Sequence, residues 1–368
     1  MVVLILTNND AGLYKFRYEL VKRLCKDYEV YISLPDGEYI GQLEEAGCKY
    51  LNTEFNRRGM NPFADLRLLR TYIKTIRKIK PDVVLTYTIK PNVYGGFASH
   101  ITKTPYLVNV TGLGTTIENG GLLAFLTTHM YKIGLKKAAC VFFQNSQNQS
   151  LFEEKKIVSG KHRLLPGSGV NLAVHTLEAY PDPTEAIDFL FVGRVMKDKG
   201  IEELLSAVKT VKKLYPAVKM DIVGGYDEDY KQAVEEAQKE GLVHYHGRQL
   251  NVHEFMKNAH CVVLPSYHEG MSNVMLEAAA TGRPVITTTV PGCRETFEEG
   301  VTGLGCAAGS AESLADAMLR FIRMPYEDKE KMGLLGHKKM EREFDRNLVT
   351  DVYIKEIENV LNQNRLVK

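Results

Sequence analysis

Two short segments of this sequence hold residue types that bind phosphate and sugar. In residues 193–200, Arg194 and Lys199 lie just before a run of helical period that starts at Ile201. A planar guanidinium and a compact ammonium beside the positive end of a helix can together hold a diphosphate. Taken alone, the same residues also fit a solvated basic turn in front of an ordinary helix.

The second segment, residues 265–277, follows another apolar run and is rich in small and polar residues. Ser272 or Asn273 is a typical helix N-cap, and the helix is predicted to end near Gly282. Gly270 leaves room for a ligand beside the backbone. The amides of Met271, Ser272 and Asn273 are predicted to point at an anion.

Two glutamates flank this helix start. Glu269 precedes it, and Glu277 lies a little over one turn inside it, among apolar and small neighbours. An acid in such surroundings needs a partner, and a carboxylate can accept both hydroxyls of a ribose, because vicinal diols donate to a forked acceptor. A solvated helix residue is the plain alternative for Glu277.

The elements around these segments alternate between short, continuous apolar runs and stretches of helical period. That alternation is typical of buried parallel strands covered by helices, and such sheets bind ligands beyond the carboxyl ends of their strands. Strands are predicted at residues 2–6, 83–86, 107–110 and 140–143 in a first series, and at residues 189–192, 220–223, 243–245, 262–264 and 285–287 in a second.

The two series predict two doubly wound α/β domains. Residues 166–185 between them are rich in Gly and Pro and broken in pattern, as in an interdomain linker. We therefore expect one Rossmann-like domain over residues 1–168 and another over residues 169–345. The tail, residues 346–368, is helical in period, and we expect it to pack back toward the N-terminal domain.

Composition excludes several classes of protein. Charged residues are 25% and hydrophobic residues 44% of the 368, the balance of a soluble globular chain. No run approaches the roughly 20 apolar residues of a membrane-spanning helix. The six cysteines form no Cys-x-x-Cys pair, which favours reduced thiols in a cytoplasmic protein. Basic residues without aromatic stacking partners argue against nucleic acid. The N-terminal run MVVLILTNND predicts a first strand rather than a signal peptide.

The two segments together, Gly-Arg-x4-Lys-Gly and a later Glu-x7-Glu at a strand–helix junction, resemble the family-4 retaining glycosyltransferases. The resemblance covers nearly the whole chain and implies the GT-B fold, with two Rossmann-like doubly wound parallel-sheet domains facing a central cleft. The chain looks most similar to enzymes that extend lipid-linked oligosaccharides for bacterial capsules, O-antigens or N-glycans. Further segments that carry the resemblance are residues 88–95, 110–115, 169–171, 223–225 and 246–248.

The resemblance also implies roles for individual residues. Arg194 and Lys199 would hold the diphosphate of a UDP-sugar, Glu277 its ribose, and Glu269 hydroxyls of the transferred sugar. Glu269, Arg194 and Lys199 are therefore the expected catalytic residues, and no metal or cofactor is expected, because the two cations can replace a metal. Other donor contacts are expected from Gly12, Arg248, Gly270, Met271, Ser272 and Asn273, and acceptor contacts from Lys90, Asn92, Thr111, Gly112 and Gly114.

The resemblance assigns no protein base. Many relatives carry a His or a carboxylate in the N-terminal loop where this chain has Asn109, Thr111 and Gly112, and the nearest acids are Asp10 and Glu118. A retaining transfer needs no such base if the leaving phosphate accepts the acceptor proton on the same face of the sugar. The protein then has to position the reactants and stabilise charge on the departing diphosphate.

Two other functions fit parts of the pattern. A nucleotide-sugar epimerase or hydrolase on the same scaffold needs acid and base groups that converge on the sugar. A nucleotide-sugar sensor would bind the same ligand without catalysis. Five histidines of the second half show no metal-ligand spacing on a common helix and are interpreted as structural or solvated: His244, His246, His253, His260 and His268.

Charge divides the chain into a basic and an acidic part. Residues 1–170 hold 23 Lys and Arg against 14 Asp and Glu, and residues 171–368 hold 24 against 31. Residues 66–80 are basic at helical spacing, with an apolar face predicted at Leu66, Leu69, Ile73 and Ile76. With a lipid-linked glycan as acceptor, we expect the N-terminal domain to lie on an anionic membrane surface at the inner face of the cell membrane. A helix packed on the sheet with a solvated basic side is the alternative.

Overall fold

The computed structural model describes residues 1–56, 61–111, 121–183 and 186–367. By their internal contacts, residues 1–168 and 346–368 form one compact unit, and residues 169–345 form a second. Each unit is built on one parallel sheet, as the alternation of strands and helices predicts.

The first unit has a seven-stranded sheet in the order β3-β2-β1-β4-β5-β6-β7. The strands are β1 Val2–Leu6, β2 Glu29–Leu34, β3 Lys49–Asn52, β4 Val83–Tyr87, β5 Tyr106–Val110, β6 Cys140–Phe143 and β7 His162–Leu164. The helices are α1 Asp10–Asp27, α2 Ile40–Glu45, α3 Pro62–Ile79, a π-helical turn Pro91–Gly95, α4 Gly96–Thr102, α5 Gly121–Leu135 and α6 Ser146–Glu154.

The second unit has a six-stranded sheet in the order β10-β9-β8-β11-β12-β13. The strands are β8 Asp188–Val192, β9 Lys219–Val223, β10 His244–Tyr245, β11 Cys261–Leu264, β12 Val285–Thr288 and β13 Gly303–Cys306. The helices are α7 Ile201–Leu214, α8 Lys231–Lys239, α9 Val252–Asn258, α10 Asn273–Ala280, α11 Ala311–Arg323 and α12 Tyr326–Lys339, and α13 Arg346–Val367 returns the chain to the first unit.

Strands β4, β5 and β6 are buried along their whole length, because helices cover a parallel sheet on both faces. Helix α13 completes one of these covering layers in the first unit. Its residues Tyr353, Ile357 and Leu361 belong to the same buried cluster as Leu20 and Leu24 of α1. The C-terminal tail is therefore part of the core of the first unit.

The buried side of α3 matches the prediction in part: Ile76 is buried, and Leu69 and Ile73 are partly buried against the core of the first unit. Leu68, Tyr72 and Ile76 are buried, whereas Leu66 is 44% exposed and Phe63 is 86% exposed. Leu68 and Tyr72 therefore pack in the core in place of Leu66. Among the described helices, none combines the length and the apolar character that crossing a membrane requires.

Chain order reverses once in each sheet. The reversal lies between β1 and β4 in the first unit, where Leu6 is the neighbour of Thr86, and between β8 and β11 in the second, where Leu190 is the neighbour of Val262. In open α/β sheets the crevice outside the carboxyl ends of the strands at such a reversal binds the ligand. Each unit thus has one place where a ligand site is expected.

Candidate functional site

The loops that follow β8 and β11 lie side by side at the reversal point of the second sheet. The amide of Tyr267 donates to the carbonyl of Asp198 at 2.9 Å, and the hydroxyl of Ser266 donates to the same carbonyl at 3.0 Å. A Cβ at Gly200, whose φ is +73°, would lie 2.1 Å from the carbonyl oxygen of Pro265. Only glycine allows this approach, which brings the two motifs of the sequence together.

Lys199 and Glu269, one from each loop, form an ion pair. Their side chains are 18% and 14% exposed, so the pair is largely shielded from water. Removing one partner from a shielded pair leaves an uncompensated charge, which is costly. An anion that binds Lys199 would release the Glu269 carboxylate to accept hydrogen bonds from hydroxyls. A sugar diphosphate offers both groups in one molecule.

Arg194 is held by an acid that the sequence analysis did not select. Its guanidinium donates to Asp227, which follows β9, and the arginine side chain remains 56% exposed. The turns after β8 and β9 are tightly packed, because a Cβ at Gly224 would lie 1.7 Å from the carbonyl oxygen of Gly193. Inspecting the residues after every predicted strand would have found Asp227.

Asp227 also begins an Asp-x-Asp sequence, Asp227-Glu228-Asp229, which the expectation of a metal-free site did not take into account. In the structure Arg194 binds Asp227, and Glu228 accepts a hydrogen bond from the amide of Lys197 at 2.8 Å. No group of three or more His, Cys, Asp or Glu in the described ranges is placed to hold a metal ion. The first two acids of this segment therefore hold the basic turn after β8.

Helix α10 begins at Asn273, with Ser272 at the N-cap position. The amide of Ser272 donates to the carbonyl of Gly292 at 2.7 Å, so the prediction that it points at an anion is wrong: the loop after β12 accepts this donor. Within the described residues, the Ser272 hydroxyl and the Asn273 side-chain oxygen are buried without a hydrogen-bond partner. Buried polar atoms normally have one, which makes these two candidates for ligand contact.

Two neighbours of that helix start differ in their surroundings. Met271 is buried in an apolar cluster with Leu276, Met340 and Phe344, so its side chain anchors the loop. The same loop carries Gly270, beside Glu269. A Cβ at Gly292, whose φ is +82°, would lie 2.9 Å from the Gly270 carbonyl oxygen, so the loops after β11 and β12 also touch.

Glu277 has the partner that its apolar surroundings require. Its Oε1 lies 3.9 Å from Nε2 of His175, and the two side chains are 20% and 14% exposed. His175 comes from the segment before β8, and no local feature of the sequence indicates this pairing. An imidazole and a carboxylate at this separation together offer both donor and acceptor atoms to a polar ligand.

Arg248 lies further along the same edge of the sheet. It follows β10 and is exposed, and the preceding carbonyl of Gly247 accepts the amide of Gly224 at 2.8 Å. The Gly224 turn therefore contacts both of its neighbouring turns.

Cys293, in the loop after β12, is buried, and burial raises the pKa of its thiol to about 12. It is a protonated core residue rather than a nucleophile.

The predicted acceptor residues of the first unit lie after β4 and β5, and two of them already have partners. The ammonium of Lys90 lies 2.8 Å from the carboxylate of Asp65, and the two side chains are 13% and 9% exposed. Asn92 is fully buried, accepts from the Thr86 hydroxyl and donates to the Asn109 carbonyl, each at 2.8 Å. The prediction that Asn92 contacts an acceptor is therefore wrong, because its amide is used to join β4 to β5.

The loop after β1 is likewise ordered by its own side chains. The amide of Gly12 donates to Asn9, which caps α1. Asp10, one of the two acids nearest the predicted acceptor loops, is buried and accepts the amide of Tyr39 at 2.7 Å, so it holds a neighbouring loop. Thr111 is half-buried directly after β5. The predictions for Gly112, Gly114 and Glu118 lie outside the described residues.

Three of the histidines have structural partners in the second unit. Nε2 of His246 lies 2.7 Å from Asp221, and Nε2 of His253 lies 3.1 Å from Glu178. His260 is buried, accepts the amide of Asp188 at 3.1 Å, and has its pKa lowered by burial. These contacts join neighbouring elements and involve none of the residues at the reversal point.

Family models match both parts of the chain. Residues 3–145 match the model described as glycosyl transferase 4-like, and residues 175–338 match the model described as glycosyl transferases group 1. The first match ends before the last strand of the first sheet, and the second includes both loops that carry Arg194, Lys199 and Glu269.

Two curated proteins align over almost their whole length. The N,N'-diacetylbacillosaminyl-diphospho-undecaprenol alpha-1,3-N-acetylgalactosaminyltransferase of Campylobacter jejuni is 27% identical over 379 aligned residues, which cover 97% of this chain and 98% of that one. The capsular polysaccharide biosynthesis glycosyltransferase CapM of Staphylococcus aureus is 26% identical, with 98% and 96% covered.

Solved structures share the fold at lower identity. Alr3699/HepE of Anabaena in complex with UDP and glucose superposes with a TM-score of 0.78 at 17% identity, covering 98% of this chain and 100% of that one. Sucrose-phosphate synthase (tll1590) from Thermosynechococcus elongatus superposes with a TM-score of 0.79 at 19% identity over the full length of both. At these identities the likeness shows a common architecture.

Proposed function

Because the chain belongs to the glycosyl transferases of the GT-B fold, we propose the reaction that it catalyses. Its N-terminal part matches the glycosyl transferase 4-like model, and its C-terminal part matches the glycosyl transferases group 1 model. It moves a hexose or an N-acetylhexosamine from a UDP-sugar to a glycan carried on a polyprenyl diphosphate, with retention at the anomeric carbon. The names of two relatives support this: one acts on a diphospho-undecaprenol-linked sugar and the other in capsular polysaccharide biosynthesis.

The observation that carries the proposal is the ion pair of Lys199 and Glu269 at the reversal point of the second sheet. A UDP-sugar can replace this ion pair with two sets of contacts, because its phosphate oxygens bind the ammonium of Lys199 and its sugar hydroxyls donate to the carboxylate of Glu269. Arg194 leaves Asp227 in the same way and binds the second phosphate through its planar fork. The binding of the donor thus replaces both ion pairs with charge-assisted hydrogen bonds.

The remaining donor contacts are proposed from the positions of residues along the same sheet edge. Glu277, with His175 beside it, holds the ribose hydroxyls, and the buried Ser272 hydroxyl and Asn273 side-chain oxygen lie at the start of the same helix. The backbone of Gly270 lies next to the transferred sugar. The turn at Arg248 adjoins the uracil.

The chemical step needs no protein base. The bond between the anomeric carbon and the β-phosphate oxygen breaks, the acceptor oxygen bonds to that carbon on the same face, and the acceptor proton passes to the leaving phosphate. Lys199 and Arg194 stabilise the negative charge that develops on UDP as the bond breaks. In the first unit, Lys90, Thr111, Gly112 and Gly114 are proposed to line the acceptor side, and Gly12 to contact the donor.

A panel of UDP-sugars tests the proposal directly. Each is incubated with the protein and a farnesyl diphosphate that carries one N-acetylhexosamine, and the products are separated and analysed by mass and by anomeric configuration. We expect one UDP-sugar to give an α-linked disaccharide product, and UDP to raise the melting temperature because it binds only the folded protein. Conversion of the donor without any acceptor-linked product would instead indicate an epimerase or a hydrolase.

A further inference from the structure

Thr88, directly after β4, has a backbone conformation that its side chain disfavours. Its φ is +71°, in the left-handed region where a β-branched residue is a clear outlier. Three other described non-glycine residues have positive φ, and all are lysines at helix ends: Lys80 and Lys103 are the C-caps of α3 and α4, and Lys156 follows the C-cap of α6. A left-handed residue is ordinary at the C-terminal end of a helix, whereas Thr88 lies immediately before the helical residues 89 and 90.

The side chain of Thr88 adds a second anomaly. Its hydroxyl oxygen is buried and has no hydrogen-bond partner among the described residues. The main chain around it is well satisfied, because the Thr88 carbonyl accepts the amide of Asn92 at 2.9 Å. The loop is therefore ordered, and yet it retains an unfavourable φ and an unpaired hydroxyl. Strain of this kind persists where the surrounding structure enforces it, and it concentrates at ligand sites.

Thr88 also lies at the reversal point of the first sheet, where a ligand site is expected. Thr86 is the neighbour of Leu6 across the reversal point of the first sheet, so Asn8 and Thr88 leave adjacent strands at the same level. The π-helical turn that follows packs on both strands, because a Cβ at Gly95 would lie 2.6 Å from the Leu6 side chain and 3.2 Å from that of Thr86. This edge corresponds to the edge of the second unit that holds Lys199 and Glu269.

We propose that Thr88 is a substrate-contacting residue, whose hydroxyl forms a hydrogen bond with a hydroxyl of the acceptor sugar. The proposal rests on the proposed glycosyl transfer and gives a role to a residue of segment 88–95 that has no assigned contact from the resemblance. A sugar hydroxyl fits this group, because it can both donate to and accept from the neutral hydroxyl of Thr88. The left-handed φ holds the hydroxyl at a position where none of the described groups forms a hydrogen bond with it.

The test compares Thr88→Val, which keeps the branched shape and removes the hydroxyl, with Thr88→Ser, which keeps the hydroxyl. With the farnesyl diphosphate N-acetylhexosamine acceptor, Thr88→Val should lower kcat/KM for the acceptor about tenfold, as expected for one lost hydrogen bond, and leave KM for the UDP-sugar unchanged. Thr88→Ser should stay within about threefold of the wild type. Repeating the assay with monodeoxy acceptors should identify one position at which Thr88→Val no longer has an effect.

A matched pair separates strain from contact. Thr88→Gly and Lys103→Gly both relieve a left-handed residue, and each should keep or raise Tm, but only Thr88→Gly should lose acceptor turnover. If Thr88→Val retains the wild-type kcat/KM, or loses it equally with every deoxy acceptor, Thr88 does not contact the acceptor. If the wild type itself transfers to no sugar-bearing acceptor, the proposed function fails, and the Thr88 proposal fails with it.

Discussion

Two ion pairs hold the basic side chains near the carboxyl ends of the strands in the second sheet. Lys199 is paired with Glu269 and Arg194 with Asp227. Each acid keeps its cation in place near the carboxyl ends of the strands until an anion competes for it. The two pairs differ in exposure, because the Arg194 side chain is 56% exposed and that of Lys199 only 18%. The lysine pair is therefore less screened by water and should have the larger energetic effect.

Removing either cation should slow transfer severely. Lys199→Ala and Arg194→Ala should each lower kcat by a factor on the order of 10² to 10³, because both groups meet the charge that develops on the leaving UDP. Lys197→Ala, which removes an exposed ammonium from the same turn, is the matched control and should change kcat less than about threefold. Steady-state assays with saturating UDP-sugar measure the effect. Retention of more than about a tenth of the activity by Lys199→Ala would contradict its assigned role.

The two glutamates should separate binding from turnover. Glu277→Ala should weaken the binding of UDP itself, because the ribose loses its acceptor. Glu269→Ala should not weaken UDP binding, because it also frees Lys199 from its ion pair, but it should lower turnover of the UDP-sugar, because the contacts to the sugar hydroxyls are lost. Calorimetric titration with UDP and initial rates with the UDP-sugar give the two quantities, and Glu312→Ala on α11 serves as an exposed control. Equal loss of UDP affinity in both variants would show that Glu269 does not select the sugar.

Metal dependence can be tested at Asp229, the second aspartate of the Asp-x-Asp sequence. We expect activity to survive EDTA, because Lys199 and Arg194 can neutralise the diphosphate without a divalent ion. Asp229→Asn should then behave like the wild type. Loss of activity on chelation, restoration by manganese and the failure of manganese to restore Asp229→Asn would together show that this acidic segment holds a metal.

Among the elements of the second unit, the turns after neighbouring strands can pack closely because glycines at their contact points have no Cβ. Gly224→Ala should destabilise the protein by at least about 2 kcal/mol and abolish UDP binding, because its φ is +153° and a Cβ would lie 1.7 Å from the Gly193 carbonyl oxygen. The neighbouring Gly225→Ala, where nothing lies within 4 Å of the added Cβ, should be tolerated. Thermal unfolding with and without UDP compares the two variants, and equal behaviour would mean that the turns can separate at little cost.

The elements themselves could be predicted because their signals are local. Continuous apolar runs identify β1 at Val2–Leu6 and β6 at Cys140–Phe143 with their observed bounds, and the turn at Gly282 ends α10 as predicted. The two loops that flank a reversal point follow from parallel topology, so the grouping of Lys199 with Glu269 also could be anticipated.

Partners that are distant in sequence could not be predicted. The pairs Arg194–Asp227 and Glu277–His175 depend on which turns touch, and the Ser272 amide is used by a carbonyl from another strand end. The burial of Asn92 likewise depends on β5 lying beside β4. On α3 the exposure of Leu66 was not predicted, because Leu68 and Tyr72, an aromatic residue with a polar hydroxyl, pack in the core instead.

For the molecule as a whole, the relevant feature is that two helices of the first unit expose apolar side chains together with or next to basic residues. Helix α3 exposes Phe63 and Leu66 as well as its basic residues, and α5 exposes Phe125, Leu126 and Ile133, with Lys136 and Lys137 following it. Basic side chains with exposed apolar neighbours are typical of surfaces that lie in the headgroup region of a bilayer. A lipid-linked acceptor would reach the enzyme from such a surface.

We therefore predict reversible, salt-sensitive binding to anionic vesicles. Each basic residue near an anionic leaflet contributes about 1 kcal/mol, so the triple variant Arg70→Gln, Lys74→Gln, Arg77→Gln should lower the bound fraction strongly. The control replaces Lys213, Lys231 and Lys239, which are exposed on α7 and α8 of the second unit, with Gln and so removes the same charge elsewhere. Sedimentation with phosphatidylglycerol vesicles at low and high salt measures binding. If the wild type stays in the supernatant at low salt, or if both triple variants sediment equally, α3 is only a solvated basic face and the acceptor reaches the enzyme by another route.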